Sequence, residues 1–179
     1  MNSSDVIDFW FEQTDPKLWW KNDPGFDALI RQRFKAVHYA ASRGELFGWR
    51  TTAEGRLAEI IVLDQFSRNM FRGTAQAFAF DALALALAQE AVAQGLMDVL
   101  RGSRVAFLIM PYMHSESLSI HEQAVKLFAR PGLEGSLAYE LKHKAVIERF
   151  GRYPHRNAII GRISTPEEID FLKQPGSSF

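Results

Sequence analysis

The sequence has 179 residues, of which 47% are hydrophobic and 23% charged, and its 21 basic residues balance its 21 acidic ones. This length and composition are typical of one globular domain, and a net charge of zero provides no overall attraction to nucleic acid or to an anionic membrane. The absence of cysteine excludes disulfides, thiolate metal ligands and cysteine nucleophiles.

The first ten residues, MNSSDVIDFW, contain Asp5 and Asp8 and lack the basic segment that begins a signal peptide. The longest apolar runs are far shorter than the roughly 20 residues that a membrane-spanning helix needs. We therefore expect a protein without membrane contact, located in the cytoplasm. The tryptophans of the stretch FWFEQTDPKLWW, residues 9–20, are expected to pack in the core.

Helix signals begin at residue 23. Asp23 is a candidate N-cap, Pro24 occupies the first helical position, and apolar residues then follow at helical spacing until Gly44. A second helix is predicted from Thr51, which is spaced from Glu54 as in a capping box.

The stretch AFAFDALALALAQEAVAQG, residues 77–95, alternates leucine with alanine as a strand would. Its length and its many alanines favour a helix that ends at Gly95. Further starts and ends are predicted at the C-terminal side. The starts are Ser103 as a cap, Ser119 with Glu122 as a second capping box, and Thr165 with Pro166 and Glu168. The ends are Pro131 and Gly151, and Pro111 is expected to disturb the end of the helix that Ser103 caps.

These signals predict one all-α domain over residues 1–179, with about seven to nine helices and short loops. No dipeptide typical of a β-hairpin lies between alternating apolar runs. The helix lengths suit antiparallel helical hairpins, although the pattern is too irregular to define a repeat by its period.

Common catalytic motifs do not occur. The stretch HSE, residues 114–116, matches half of a zinc-deaminase signature whose cysteines are absent, and HEQAV, residues 121–125, lacks the second histidine of a zinc protease. No phosphate-binding glycine pattern and no nucleophile elbow is present. We therefore assign no catalytic residue, no metal ligand and no cofactor.

The stretch LDQFSRN, residues 63–69, contains the first polar group of interest. Asp64 lies on an apolar helix stripe, with Arg68 one turn later and Asn69 beside it. An unpaired aspartate would be costly to bury. Two interpretations remain open: Asp64 pairs with Arg68 or another helix to hold the core together, or these residues form the wall of a ligand pocket.

The stretch MHSESLSIHEQ, residues 113–123, contains His114 and Glu116 near a turn between helices, followed by His121. Histidine and carboxylate together suit acid–base catalysis or a divalent metal. Polar residues at helix ends also serve as caps, so both interpretations stay open.

The stretch RFGRYPHRNAIIGR, residues 149–162, concentrates cations among apolar residues. Residues 141–162 contain six lysines or arginines and one acid, whereas residues 1–30 contain six acids and two lysines. The anion-binding candidates are Arg152, His155, Arg156 and Asn157, because arginine forks suit carboxylate or phosphate. Attraction between the chain ends, or cations at a helix C-terminus, would explain the same pattern.

The apolar residues of this stretch predict that the loop after Gly151 folds back over the helices. Burial of Tyr153, Ile159 and Ile160 would contribute on the order of 1.5–3 kcal/mol each. An unpaired cation cannot follow them inside. We therefore expect Arg152 or Arg156 to be mostly buried and bonded to a carboxylate or to backbone carbonyls.

The stretches VIDFWF, LDQFSRNMFRGT, AFAFDALALALA, PYMHSES, ERFGRYPHRNAIIGR and STPEE, with the closing FLKQPGSSF, together resemble the bacterial DUF924 family, which is named for its unknown function. The resemblance extends from about residue 5 to the C-terminus. It implies a tetratricopeptide-like fold of stacked antiparallel helix pairs and brings no established activity or site residues.

Two functions are compatible with these observations. The first is a non-enzymatic helical-hairpin binding protein whose polar groove takes a peptide, a protein segment or a small anion. The alternative is an enzyme of unrecognised type, in which Asp64, His114, Glu116 and His155 act as acid–base groups. The sequence does not define the oligomeric state.

Overall fold

The computed structural model describes residues 1–177, and these form two compact units. The first unit comprises Met1–Arg72 and Gln76–Pro111; the second comprises Gly73–Ala75 and the described residues from Tyr112 onward. The prediction of one domain over residues 1–179 stays a prediction.

The described residues form helices joined by loops, without a strand. The α-helices are α1 (Ser3–Asp8), α2 (Pro24–Ser42), α3 (Ala53–Ile61), α4 (Ser67–Met70), α5 (Asp81–Ala93), α6 (Leu96–Val99), α7 (Ser103–Met113), α8 (Leu118–Phe128), α9 (Glu134–Phe150) and α10 (Pro166–Leu172). Short 3-10 turns cover Pro16–Trp20, Phe47–Thr51, Ala75–Ala77 and Pro154–Arg156. π-Helical turns cover Phe9–Gln13 and Val62–Phe66.

The all-α prediction is confirmed. Because the second π-helical turn joins α3 to α4 without a break, the ten α-segments of the described chain form nine continuous helices, at the upper end of the predicted range. The leucine–alanine stretch is helical, as its alanine content predicted, and buries Ala84, Leu87 and Ala91. The tetratricopeptide-like stacking stays a prediction.

Two predicted caps agree with the structure and two do not, while Ser103 is the first residue of α7 and not its cap, and α7 continues through Pro111 to Met113. The side chain of Asp23 accepts hydrogen bonds at the start of α2, and Thr165 forms a capping box with Glu168 at the start of α10. By contrast, α3 is capped by Thr52 instead of Thr51, and α8 begins after Ser117, two residues before Ser119. Both errors arise because several hydroxyl residues lie next to each other, so spacing alone does not select the cap.

The first unit encloses an aromatic core. Helix α1 packs against α3, α2 packs against α4 and the second π-helical turn, and α3 packs against α5. Phe9, Trp10, Phe34 and Phe66 are buried together, with the Phe34 and Phe66 ring centres 4.7 Å apart. Offset and edge-on ring contacts of this kind stabilise a core beyond the area they bury.

The second unit is built on a hairpin of α8 and α9, which pack against each other across a short loop. Val146, Ile147 and Tyr153 form its buried apolar cluster, and Phe150 and Phe171 pack against that cluster. The loop after α9 therefore contributes to the core of this unit.

One stretch of the described chain, residues 75–93, is long and apolar enough by composition to cross a membrane. Its helical part, α5, has thirteen residues and spans about 20 Å, whereas a bilayer's hydrocarbon core is about 30 Å thick. The stretch also contains Asp81, which is paired with Arg68. Its short helical part and its ion pair argue against a membrane span, although only 28% of its apolar 18-residue window is buried.

Candidate functional site

Tyr153 fixes the loop that follows α9. Gly151 ends α9 with a φ of 68°, a conformation that favours glycine, and Tyr153 then enters the core. Its hydroxyl donates to the carbonyl oxygen of Met113 at 2.6 Å, and its backbone N–H donates to Oε1 of Glu116 at 2.7 Å. The loop folds back as predicted, although Ile159 and Ile160 are only partly buried.

Glu116 and Arg162 form a two-pronged ion pair beside this tyrosine. The Arg162 guanidinium donates to Oε2 at 2.6 Å and to Oε1 at 2.8 Å, and both side chains are about three-quarters buried. Burial raises the pKa of Glu116, but the hydrogen bonds from Arg162 and from the Tyr153 N–H outweigh burial and leave the pKa lowered. Glu116 is therefore an ionised anchor of the loop.

Arg156 is the buried cation that the sequence predicted. Its residue is 6% exposed, and Nη2 donates to the carbonyl oxygen of His114 at 3.0 Å. The guanidinium carbon lies 4.7 Å from the centre of the Tyr153 ring, within the range of a cation–π contact. The prediction that Arg152 or Arg156 would be buried and bonded to a carboxylate or a carbonyl is confirmed.

Arg152 joins the loop to α10. Its guanidinium donates to both carboxylate oxygens of Glu168, at 2.6 and 2.8 Å, and to the carbonyl oxygen of Ile163. Glu168 also accepts the backbone N–H of Thr165. The hydrogen bond from Arg152, assisted by Thr165, lowers the pKa of the buried Glu168 to about 2.

The remaining two loop candidates lie close to these pairs. Asn157 is completely buried, and its Nδ2 donates to Oγ of Ser164 at 3.1 Å. His155 is half-buried, with its ring centre 5.6 Å from that of Tyr153. The structure thus brings together the six candidates of the second unit, His114, Glu116, Arg152, His155, Arg156 and Asn157, around the loop after α9.

A buried acid–imidazole pair lies next to this loop and was not predicted from the sequence. His121 on α8 and Glu140 on α9 are each 0% exposed, with Nδ1 of His121 at 2.7 Å from Oε1 of Glu140. One signal for it exists in the sequence: Glu140 and His143 lie on the same helix stripe as the buried Ile147. A polar residue on an apolar stripe requires a partner, but the stripe does not identify one.

The partners of His121 define where its protons lie. Nε2 is 2.9 Å from the carbonyl oxygen of Ser115, which only accepts, so Nε2 carries a hydrogen. The Tyr153 hydroxyl, 3.2 Å away, already donates to Met113 and so accepts from Nε2 as well. One further proton must lie between Nδ1 and Glu140, since two acceptors would repel at 2.7 Å. Burial raises the pKa of Glu140, and the hydrogen bond from His121 opposes this effect.

His143, one turn further along α9, is buried in its neutral form. Its Nδ1 lies 2.8 Å from the carbonyl oxygen of Tyr139, and its ring meets that of Tyr153 edge-on with the centres 5.8 Å apart. Burial lowers the pKa of His143 to about 3. This imidazole therefore stays uncharged at neutral pH.

Asp64 and Arg68, in the first unit, form the pair that one sequence interpretation predicted. Asp64 lies in the second π-helical turn and is buried, with Oδ1 at 3.0 Å from Nη1 of Arg68. Arg68 also donates to both oxygens of Asp81, each at 3.0 Å. Nε2 of Gln65 donates to the second oxygen of Asp64 at 2.6 Å. The group is a buried network that ties the continuous α3–α4 helix to α5.

Asn69 belongs to a different network in the same unit. Its Nδ2 donates to Oδ1 of Asp27 at 2.7 Å, and Arg72 holds both oxygens of that aspartate at 2.6 and 2.9 Å. Of the nine candidates, Asp64, Arg68 and Asn69 therefore lie in the first unit and the other six in the second. Among the described residues, no cluster of histidine and carboxylate side chains has the arrangement of a metal site.

The tryptophans of residues 9–20 differ in burial. Trp10 is completely buried, as predicted, whereas the prediction of core packing is wrong for Trp20, which is 67% exposed. Trp20 lies at the end of a 3-10 turn, so it stacks on the core from outside. Its ring is nearly parallel to that of Phe107, at 7° and 5.7 Å.

Trp19 and Phe11, which are partly buried, lie beside Trp20 and the buried Phe107. The Trp19 ring is perpendicular to that of Trp20, with centres 6.3 Å apart, and Nε1 of Trp19 donates to the carbonyl oxygen of Trp10 at 3.0 Å. Phe11 meets Trp19 edge-on at 5.9 Å. We call these four rings, Phe11, Trp19, Trp20 and Phe107, the aromatic corner.

The chain matches a known family and resembles a solved structure. The chain is similar to the solved structure of the protein of unknown function ATU0120 from Agrobacterium tumefaciens, at 39% sequence identity and a TM-score of 0.91, with 96% of each chain covered. No curated protein matches the sequence significantly. Residues 6–176 match the model of the family described as bacterial protein of unknown function (DUF924). The chain therefore belongs to the DUF924 family.

Proposed function

We propose that this protein is a non-enzymatic binding protein whose ligand is a peptide or a protein segment. The observation that carries the proposal is the internal use of the groups suited to catalysis. His121 and Glu140 are buried against each other, Asp64 is buried against Arg68, and both oxygens of Glu116 accept from Arg162. Side chains so engaged hold a scaffold, and a scaffold of helical hairpins suits binding.

A small anion is the less favoured ligand. The forks of Arg152 and Arg162 already hold Glu168 and Glu116, with donor–acceptor distances of 2.6–2.8 Å. A free anion would have to displace a carboxylate that the fold supplies at no cost in translational entropy. We also propose a cytoplasmic location and a tetratricopeptide-like stacking of the helices, both of which rest on the sequence pattern.

A library experiment tests the proposal. The full-length protein is incubated with a library of random heptapeptides. Bound peptides are recovered, and their masses are measured by mass spectrometry. We expect enrichment of a peptide class with unchanged mass. Recovery of cleaved or modified peptides, with the modification lost in a folded His155→Ala variant, would contradict the non-enzymatic part of the proposal. Absence of any enrichment would contradict peptide binding.

The alternative is an enzyme of unrecognised type, and one observation favours it. Glu140, His121 and Tyr153 form a hydrogen-bonded chain of acid, imidazole and phenol, next to the half-exposed His114 and His155. Such a chain can hold an imidazole in one tautomer for acid–base work. Turnover of a screened metabolite that Glu140→Gln abolishes, at unchanged substrate affinity and with the fold intact, would establish this alternative.

A further inference from the structure

Four of the five histidines of the sequence lie in the second unit, and they gather around one side chain of the loop after α9. The ring centre of Tyr153 lies 5.6, 5.8 and 6.3 Å from those of His155, His143 and His121. The fourth imidazole, that of His114, is close enough to affect the charge of His143. We call these four imidazoles the histidine cluster.

The Tyr153 ring shields His143 from water. His143 belongs to α9, whereas Tyr153 comes from the loop, and the planes of the two rings cross at 81°. His143 is 6% exposed with the loop in place, and its Nδ1 lies 2.8 Å from the carbonyl oxygen of Tyr139. If the loop moves away from the hairpin of α8 and α9, this imidazole gains access to water.

The closed loop keeps His143 neutral. Burial is the main reason that the pKa of His143 is lowered to about 3 from an ordinary value of 6.5. The imidazoles of His114 after α7, His121 on α8 and His155 in the loop lower this pKa further, because like charges repel. A proton therefore binds to His143 far more readily when the loop is open.

The other charged groups nearby do not favour a proton on His143. Glu140, three residues earlier on α9, is held by the imidazole of His121 at 2.7 Å. Lys144, the next residue of α9, and Arg156, in the loop, both carry positive charge. The preference for a neutral imidazole thus comes from every element that packs around His143.

The two ends of the loop are held by ion pairs that mild acid leaves intact. Arg152 binds Glu168 of α10, and Arg162 binds Glu116. The hydrogen bond from Arg152 lowers the pKa of Glu168 to about 2, and hydrogen bonds outweigh burial to lower the pKa of Glu116. A carboxylate with a lowered pKa loses its stabilising effect only below its ordinary value of 4.5. The middle of the loop is therefore the part that responds to mild acid.

We propose that the loop after α9 is an acid-sensitive latch, whose middle, residues 153–161, opens more often in mild acid because His143 binds a proton once Tyr153 has moved away. Each proton that binds to the open form holds the loop open. Opening uncovers Val146 and Ile147, the apolar residues of α9 that cluster with Tyr153. The inference goes beyond the proposed function and does not depend on a ligand.

Hydrogen–deuterium exchange of the full-length protein at pH 7.5 and 5.0 tests the latch. Each rate is divided by the intrinsic rate at the same pH, which gives the opening frequency. An imidazole that is neutral in the closed form and has an ordinary pKa in the open form raises opening about 30-fold at pH 5.0. Low concentrations of urea should leave loop exchange unchanged, because a local opening exposes little surface.

Three variants identify the sensor. His143→Asn removes the group that binds the proton, so the ratio of loop opening at the two pH values should fall from about 30 to about 3 or less. His38→Asn removes the buried neutral histidine of the first unit and is the matched control, with an unchanged ratio. Tyr153→Phe loses the hydroxyl that donates to Met113, so opening should increase at both pH values while the ratio is kept.

Three results would overturn the latch. Loop opening that is equal at pH 7.5 and 5.0 in the native protein would show that the loop does not respond to protons. The same ratio in His143→Asn as in the native protein would show that His143 is not the sensor. A dependence on urea as steep as that of α3 would show that the loop opens only when the protein unfolds. If His143→Asn does not fold, the native protein and Tyr153→Phe still decide, because the ratio and the urea dependence are measured on both.

Discussion

Among the residues of the loop after α9, Arg156 is expected to lower the free energy of unfolding most when it is replaced by alanine. It is buried, donates to the His114 carbonyl and lies over the Tyr153 ring. Hydrogen bonds to charged groups contribute about 1.5–3 kcal/mol, and a cation–π contact about 0.5–1 kcal/mol more. We therefore expect Arg156→Ala to lower the free energy of unfolding by about 2–4 kcal/mol, measured by urea denaturation in the absence of ligand.

Arg149 provides the matched control for this change. It belongs to the same basic stretch and pairs with Glu167, but both side chains are about half exposed or more. Exposed pairs contribute about 0–1 kcal/mol because water screens them. The guanidinium carbon of Arg149 also lies 4.8 Å from the centre of the Phe150 ring, but at an exposed position. Arg149→Ala should therefore lower the free energy of unfolding by about 1 kcal/mol, less than Arg156→Ala. Equal effects of the two substitutions would mean that the loop is a solvated run of charge.

Residue contacts were predictable from sequence only where they are local. Asp64 and Arg68 are four residues apart on one helix, so their pairing follows from spacing. His121 and Glu140 are nineteen residues apart on different helices, and nothing in the sequence specifies the register at which the two helices pack. The prediction for Trp20 was wrong because tryptophan is usually buried, whereas the position of Trp20 at the end of a turn leaves its side chain exposed.

At the scale of helices, the caps give the sharpest test. The Thr165 side chain accepts the N–H of Glu168 at 3.2 Å, whereas Ser119 lies inside α8 at an exposed position and does not cap it. Loss of a hydroxyl cap costs about 0.5–2 kcal/mol. Thr165→Ala should therefore destabilise the protein by about 1 kcal/mol in chemical denaturation, and Ser119→Ala by a few tenths at most. A larger loss of stability in Ser119→Ala than in Thr165→Ala would support Ser119 as the cap of α8, as the sequence predicted.

Two helical glycines make a second matched pair. A Cβ on Gly55 of α3 would collide with the backbone carbonyl of Trp49, lying 2.8 Å from its carbon, whereas a Cβ on Gly135 of α9 would meet no atom within 4 Å. Gly55→Ala should lower the melting temperature, because the backbone at Trp49 or in α3 must shift to make room for the Cβ. Gly135→Ala should raise the free energy of unfolding by about 0.4–1 kcal/mol, because alanine restricts the unfolded chain. Stabilisation by Gly55→Ala would contradict the close approach.

The existence of most helices was predictable because their apolar residues recur at helical spacing over twelve residues or more, as in α2. The two π-helical turns were not, since one additional residue per turn leaves only a small change in that spacing. The second of these turns contains Asp64, so the irregular part of the helix is also the part that carries a buried acid.

Over the whole molecule, histidines buried in the neutral form make stability depend on pH. Burial lowers the pKa of His38 to about 4 and of His143 to about 3, from an ordinary value of 6.5. Between pH 6.5 and these lowered pKa values, the two histidines are protonated in the unfolded chain but not in the folded one. The free energy of unfolding therefore falls as the pH falls below 6.5. Each histidine contributes at most about 1.4 kcal/mol per pH unit.

Denaturation with urea at pH 7.5, 6.0 and 5.0 measures this dependence. We expect the His143→Asn variant to lose less stability than the native protein over this range, because one of the two linked protons is removed. The free energy of unfolding of the variant should still rise with pH, since His38 remains. Identical slopes for the two proteins would show that His143 is protonated equally in the folded and unfolded chains.

We propose that the groups suited to acid–base chemistry are held inside the scaffold and that the protein acts by binding. Titration of the histidine rings by nitrogen-15 NMR tests it most directly. We expect His38 and His143 of the folded protein to stay neutral from pH 8 to pH 5, because burial lowers the pKa of both rings. Midpoints near 6.5 for these rings would contradict the claim, because they would show imidazoles in contact with solvent and available for catalysis.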